Sequence, residues 1–233
     1  MPRAGLSQAA VVDTALSLVD EGGLESVTLA AVAQRAGVAT PSLYRHVASL
    51  AELRRLLALR VLDEITDLAA EAVLGRSGDE AVAALMTAYR RYVQAHPNRY
   101  AIMPQQPLTD PVLAASGERL MGVLLAVLRQ YDLSGPDAIH AARRLRAAVH
   151  GFVSLEAAGG FGLPEDLDAS FASLIEMVTA SLRASGPSSD TQVPGAQAPG
   201  GHARGTSARD TPAARPRTAS TQRSNTRTAD TGQ

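Results

Sequence analysis

The sequence predicts an all-α protein, and three observations carry that reading. No segment shows the two-residue apolar alternation of a half-buried strand. Apolar residues instead recur at three-to-four spacing, between Gly and Pro breaks, from residue 7 to about residue 185. Helix-capping residues stand at the heads of these runs, Thr28 and Ser49 among them.

Residues 7–21 form the first run, with Val11, Val12, Ala15, Leu18 and Val19 on one face and Gly22-Gly23 as its stop. Thr28 then occupies an N-cap position ahead of Leu29, Val32, Ala33 and Ala36. Gly37 follows, where the chain needs a left-handed residue to end a helix. Thr40 and Pro41 restart the helix, with Pro41 at the first helical position, where its missing N–H is harmless. Leu43 and Val47 give this second helix one buried stripe, and Ser42, Tyr44, Arg45 and His46 fall largely off it. Ser49 and Glu52 form a capping box that opens a long helix with Leu53, Leu57, Val61 and Leu68, running to Gly75.

The next helix spans Asp79 to His96, opening at an Asp cap and stopping before Pro97. Residues 97–109 hold three Pro and two adjacent Gln, which predicts a short helix at best within a loop. Asp110-Pro111 opens a helix that ends at Tyr131-Asp132. Ser134-Gly135-Pro136 opens another, broken at Gly159–Gly162, and Leu163-Pro164 leads into the last, which reaches about Ser185. From Gly186 the composition turns to Ser, Thr, Gly, Pro, Ala and Arg, too poor in apolar groups to offset ordering entropy. The organisation expected is a helix-turn-helix domain over residues 1–50, a helical domain over 51–185, and a disordered tail over 186–233.

Charge and composition limit the function classes. All basic residues are Arg, and the net charge of −1 divides into +1 over residues 1–60, −5 over 61–183 and +3 over 184–233. A head at +1 is weakly basic for a DNA binder, so the motif carries that case and bulk charge does not. Cys is absent, which removes disulfides and thiolate metal sites. The longest apolar run, Leu120 to Leu128, is far short of the roughly 20 residues that span a bilayer. No secretory signal follows Met1-Pro2-Arg3, so a cytoplasmic location without membrane contact is expected.

Two short helices around a Gly turn, with polar residues heading the second, make the pattern of a helix-turn-helix DNA reader. Thr28-Leu29, Ala33, Ala36-Gly37-Val38 and Pro41-Ser42-Leu43-Tyr44-Arg45-His46-Val47 resemble the TetR (tetracycline-repressor) family of transcriptional regulators, over about residues 7–60. Arg45 is the natural base reader, since a guanidinium pairs bidentately with guanine, and Pro41 offers apolar contact to a thymine methyl. Thr28 and Thr40 head helices, where either capping or phosphate contact is served; the resemblance implies contact. It also implies phosphate contacts for Tyr44 and His46, with Ser42 beside them; partial packing against the first helix is the other account, and for Tyr44 the two are compatible. Where the family often has Lys just after this helix, Leu50 stands here, and Arg54 or Arg55 is left to take that backbone contact. Arg3 offers a further arm to DNA, although a frayed, solvated terminus is the plainer account.

Further on, Val149-His150-Gly151-Phe152 is similar to the signature of a TetR subgroup whose ligand domain is named for Trp-His-Gly, with the Trp missing. That helix carries Ile139, Val149 and Val153 on one apolar face and Leu145, Ala148, Phe152 and Leu155 on another, so it requires cover on two sides. The last helix, with Phe171, Leu174, Ile175, Val178 and Leu182, is its expected neighbour. The resemblance implies a homodimer through a four-helix bundle, with Phe152, Leu155, Phe171, Ile175 and Val178 at the interface. Met86, Tyr89, Tyr92, Tyr100, Met103, Met121 and Met177 are candidates to border an effector pocket. His150 either orients the effector or is a satisfied core residue.

The reading that results is a dimeric, DNA-binding repressor of a palindromic operator, released by a small molecule, with no cofactor and no metal. The alternative is a helical-bundle enzyme or binding protein with a vestigial head. Gly160-Phe161-Gly162 is a poor glycine motif because Pro164 removes an N–H where phosphate would need one, and no nucleophile motif or His spacing suggests catalysis.

Overall fold

The structure, a computed structural model, describes residues 6–104 and 106–186. Arg3 and the tail expected from residue 186 lie outside the described residues, Gly186 apart. Among the described residues all regular elements are helical: α1 (Gln8–Gly22), α2 (Leu29–Ala36), α3 (Thr40–Leu43), α4 (Leu50–Val73), α5 (Gly78–Ala95), α6 (Pro97–Tyr100), α7 (Ala114–Leu128), α8 (Gly135–Ala157) and α9 (Leu167–Ala184). Short 3-10 turns occupy Leu24–Ser26, Pro107–Thr109 and Arg129–Tyr131. Among the described residues no helix is long and apolar enough to cross a membrane.

Local chemistry sets the helix ends in the first part of the chain. Thr28 caps α2, its hydroxyl oxygen accepting the Ala31 N–H at 3.1 Å. Gly37 closes α2 in the left-handed region, at φ 66° and ψ 34°. The Val38 N–H returns to the Ala33 carbonyl at 3.0 Å and that of Gly37 to Gln34 at 3.2 Å, which satisfies carbonyls the helix end would leave open. Ser49 caps α4 by accepting the Glu52 N–H at 3.1 Å. Glu52 completes the box one residue early, taking the N–H of Ala48 rather than that of Ser49.

Helix α4 is the axis of the packing, with α5 and α7 against it, α8 against α5 and α7, and α9 against α5 and α8. Buried residues join from Val11 in α1 to Leu182 in α9 as one cluster. The head rests on this body through α1, which meets α4 and α6. Arg99 of α6 fastens the joint, with bonds of 2.7 and 2.6 Å to the Asp20 carboxylate of α1 and 3.0 Å to Glu64 of α4. Arg60 adds a bond of 3.1 Å to Asp13.

Four local expectations require correction. Helix α3 opens at Thr40, with Pro41 second, because Ala39 holds the N-cap position without a capping side chain. Asp79 is not the cap of α5, which follows Ser77; its carboxylate accepts the Tyr131 hydroxyl at 2.7 Å and pairs with Arg183. Helix α7 starts at Ala114 rather than at Asp110-Pro111, because the Asp110 carboxylate binds the Val112 N–H at 2.9 Å and holds Arg55, forming a turn ahead of the helix. In α8, Leu145 is buried on the same stripe as Val149 and Val153, as their spacing of four dictates, and not on the face of Leu155.

Candidate functional site

The head presents its candidate residues on a tightened turn. Helix α3 is regular only over Thr40–Leu43; the His46 N–H then bonds the Leu43 carbonyl at 2.8 Å and that of Val47 bonds it at 3.0 Å. Tyr44, Arg45 and His46 thus lie on a turn where a longer helix was expected. Gln8 Nε2 holds that turn by donating to the His46 carbonyl at 3.0 Å, while Leu43 and Val47 anchor it in the core. Tyr44 is 57% exposed, Pro41 and Arg45 are exposed, and Thr40, Ser42 and His46 are half-buried. Thr28 serves its cap with the hydroxyl oxygen and keeps the O–H proton, so capping and donation to a phosphate are compatible.

The neighbouring arginines divide into two kinds. Arg35 makes a two-pronged bond to Glu21 at 2.8 and 2.6 Å, staying on its own scaffold. Arg55 is occupied by Asp110, with Nε 3.1 Å from the carboxylate. Arg45 and Arg54 are exposed and have no ion-pair or hydrogen-bond partner among the described residues. Of the two residues expected to replace the missing Lys, Arg54 is therefore the one available.

A second site lies in the body. A cavity of about 280 Å³ is bounded by α4, α5, α7 and α8, with Met103, Pro104 and residues 106–109 closing it. Met86, Tyr89, Met103 and Met121 line it, as four of the eight candidates. Tyr100 and His150 do not; they stand behind Tyr89. The Tyr89 hydroxyl is 3.2 Å from that of Tyr100 and 3.6 Å from Met103 Sδ, and the two rings meet edge to face at 5.7 Å. The Tyr100 hydroxyl in turn contacts His150 Nδ1. Burial and the nearby Arg146 charge push the His150 pKa down, which favours the neutral ring. Burial, then Tyr100, raises the Tyr89 pKa, so its hydroxyl remains protonated. Tyr92 points elsewhere, donating to Glu64 at 2.9 Å, and Met177 is 59% exposed on α9. A wider concavity of about 810 Å³ between α4 and α5 is an open surface trough.

The chain matches the family of bacterial regulatory proteins named tetR over residues 11–55, and a tetracyclin repressor-like C-terminal domain over residues 82–178. It is 38% identical over 181 residues to the HTH-type transcriptional regulator Rv0681 of Mycobacterium tuberculosis, covering 77% of this chain and 83% of that protein. The chain belongs to the TetR family. It is accordingly an HTH-type transcriptional regulator, in a family that is not enzymatic and that binds DNA and small-molecule effectors. YobS of Bacillus subtilis, another HTH-type transcriptional regulator, is 34% identical over 166 residues, 71% of this chain and 87% of the relative. Among solved structures, the Streptomyces coelicolor TetR family protein ActR, in complex with (S)-DNPA, shares the fold with a TM-score of 0.59 and 22% identity, over 79% of this chain and 100% of that one.

In this TetR chain the five residues read as a dimer face are spread over different environments. Phe171 and Val178 are buried within the chain, Phe152 and Ile175 are half-buried, and Leu155 is 50% exposed. Phe171 is occupied by Phe152, at 5.0 Å between centroids, and by the guanidinium of Arg90, 4.8 Å above its ring. Sequence reasoning missed Arg90, which binds Glu156 at 2.8 and 2.6 Å and Asp168 at 2.8 Å, tying α5 to α8 and α9. It also missed Gly117, where an added Cβ would meet Pro107 and Leu108 at 3.1 Å. No local pattern marks either one, because both owe their importance to distant partners.

Proposed function

We propose that this TetR regulator is a dimeric repressor that holds a palindromic operator with two heads and releases it when a small molecule occupies the cavity. Residues 1–50 form the DNA-reading head, residues 51–185 the effector and dimerisation domain, and the protein acts in the cytoplasm. Thr28, Thr40, Pro41, Ser42, Tyr44, Arg45 and His46 meet the DNA, with Arg45 on a base edge and Thr28 and Tyr44 on phosphates. The observation that carries this reading is the exposed Arg45, without a partner among the described residues, beside Tyr44 on a turn whose other side is fixed in the core. A side chain meant for a base edge is best left without an internal partner that DNA would have to displace.

The cavity is the effector site, and α6 is the element that communicates its occupancy. Arg99 of α6 grips α1 of the head, and the next residue, Tyr100, backs the cavity wall through Tyr89. The complex of ActR with a small molecule supports an effector of this kind. The C-terminal domain is of the Trp-His-Gly type, with Val149-His150-Gly151-Phe152 as its signature. Dimerisation uses α8 and α9, with Leu155, Phe152 and Ile175 at the contact and Phe171 and Val178 supporting them from within.

Sedimentation at micromolar concentration tests the assembly. The 24.2 kDa chain should run as a dimer. Ile175→Asp places a charge near its own symmetry mate, and the variant should run as a monomer and lose operator binding with its heads intact. A wild type that runs as a monomer and still binds its upstream DNA tightly would contradict the proposal.

A further inference from the structure

We infer that the Arg55–Asp110 pair is a second link between the cavity and the head, through which a ligand that displaces the turn at Pro107–Thr109 shifts the start of α4. The inference rests on the reading of the cavity as the effector site and names a route, separate from α6, by which its occupancy reaches the DNA-reading turn.

Residues 106–110 form a short strap with one side on the cavity and one end on α4. Pro107, Leu108 and Thr109 line the cavity. The Thr109 N–H and hydroxyl both bond the Gln106 carbonyl, at 3.2 and 2.9 Å, which closes the strap into a unit. Asp110 follows directly. Arg55 donates to both of its carboxylate oxygens, Nε at 3.1 Å and Nη2 at 2.5 Å, a two-pronged geometry that fixes direction as well as distance. The same carboxylate accepts the Val112 N–H at 2.9 Å, while the Asp110 carbonyl takes the N–H groups of Leu113 and Ala114. The carboxylate is thus set against its own backbone, and a shift of the strap carries it along.

The other end of the link belongs to the head. Arg55 stands between Leu53 and Leu57, both fully buried. Glu52, three residues earlier, holds the Ala48 N–H beside the Ser49 cap, so the first turns of α4 are joined to the segment that bears Tyr44, Arg45 and His46. Two turns further along α4, Asp63 accepts the Ser116 hydroxyl of α7 at 2.5 Å, and Asp67 holds Arg119 of α7 at 2.5 Å. Those bonds fix α7 on the body part of α4, whereas the strap bears on the head side. With side chains 50% and 28% exposed, the Arg55–Asp110 pair adds little to stability. Its worth is positional, because a ligand acts at a distance only through contacts that differ between two states.

Gly117 supplies a ligand-free way of moving the strap. It faces the cavity from α7, and a Cβ there would meet Pro107 and Leu108 at 3.1 Å, so the strap has to give by a few tenths of an ångström. Gly122 is the control: it is exposed on the same helix, and a Cβ there meets nothing within 4 Å.

Fluorescence anisotropy of the full-length protein on the duplex from upstream of the gene tests this. Gly117→Ala should weaken binding about tenfold, within the usual range of coupling between sites, and Gly122→Ala should leave it unchanged. Asp110→Asn keeps an acceptor for Val112 and removes the charge that Arg55 holds. In that background Gly117→Ala should change affinity by less than about twofold. Hydrogen exchange reads the same link without DNA: Gly117→Ala should speed amide exchange over residues 50–57, and adding it to Asp110→Asn should not. If Gly117→Ala does not fold, Met121→Trp, which fills the cavity from the same helix, takes its place. A loss that persists in full beside Asp110→Asn, or that Gly122→Ala matches, overturns the inference and leaves the cavity reading in place. So does an unchanged Gly117→Ala beside a weakened Met121→Trp. Operator binding unmoved by both Gly117→Ala and Met121→Trp sinks the cavity reading and takes the inference with it.

Discussion

Arg45 in the head and Arg90 in the body are the same side chain held in opposite states. Arg45 lies exposed on the turn after α3, with no partner among the described residues. Arg90 is only 10% exposed, clasped by Glu156 and Asp168, with the rings of Phe171 and Phe152 beneath it. On the proposed reading the first forms its bonds when DNA arrives, since an exposed guanidinium gives up only water. The second is desolvated already and depends on its carboxylates, so it is part of the fold. Exposure and partnership together, rather than residue type, separate the arginine proposed for recognition from the structural one.

The largest expected effect lies on the structural side of that contrast. Arg90→Ala leaves Glu156, with a side chain only 14% exposed, without its cation. Thermal unfolding should show a loss of about 3 kcal/mol. Arg45→Ala should leave the melting temperature unchanged. An Arg90→Ala protein as stable as wild type would remove the distinction.

Acid should weaken the same ion pair. The Arg90 hydrogen bond holds the Glu156 carboxyl below the usual glutamate range. Its contribution is therefore complete above the unfolded value of about 4.3 and is lost as pH falls through the lower folded value. The stability gap between wild type and Glu156→Gln should narrow on acidification, and melting curves across that range would show it. A gap that widens in acid would mean the carboxylate is not stabilised as described.

Smaller effects sharpen the description of the head. Thr28→Ala should lower stability by about 1 kcal/mol through the lost cap, and should weaken binding to all DNA sequences alike. Gly37→Ala meets no atom within 4 Å, so only its φ of 66° opposes the change. Denaturant unfolding should register about 1 kcal/mol for it. A neutral result would show that the turn relaxes without harm.

The head was legible in the sequence because its instructions are local. The caps at Thr28 and Ser49, the stop at Gly37 and the buried pair Leu43 and Val47 each depend on residues within a few positions. The early end of α3 was not legible, since it depends on Gln8, far off in the chain, holding the His46 carbonyl. The start of α7 escaped for a similar reason, Asp110 being engaged by Arg55. The cavity was half legible. Residue softness pointed to Met86, Met103 and Met121, but the wall runs from Ala69 to Val149 through five segments, and Arg146 looks like any surface arginine until α8 is docked.

One measurement bears most directly on the account: competitive fluorescence anisotropy at fixed salt, with a duplex from upstream of the gene against a scrambled duplex of equal composition. Wild type should prefer the upstream duplex by roughly 10³-fold or more, with two protomers bound. Arg45→Ala should lose about 1–3 kcal/mol on that duplex and keep its affinity for the scrambled one. Equal binding of both duplexes by the wild type, or a preference that Arg45→Ala leaves intact, would contradict the assignment of Arg45 as the reader of sequence.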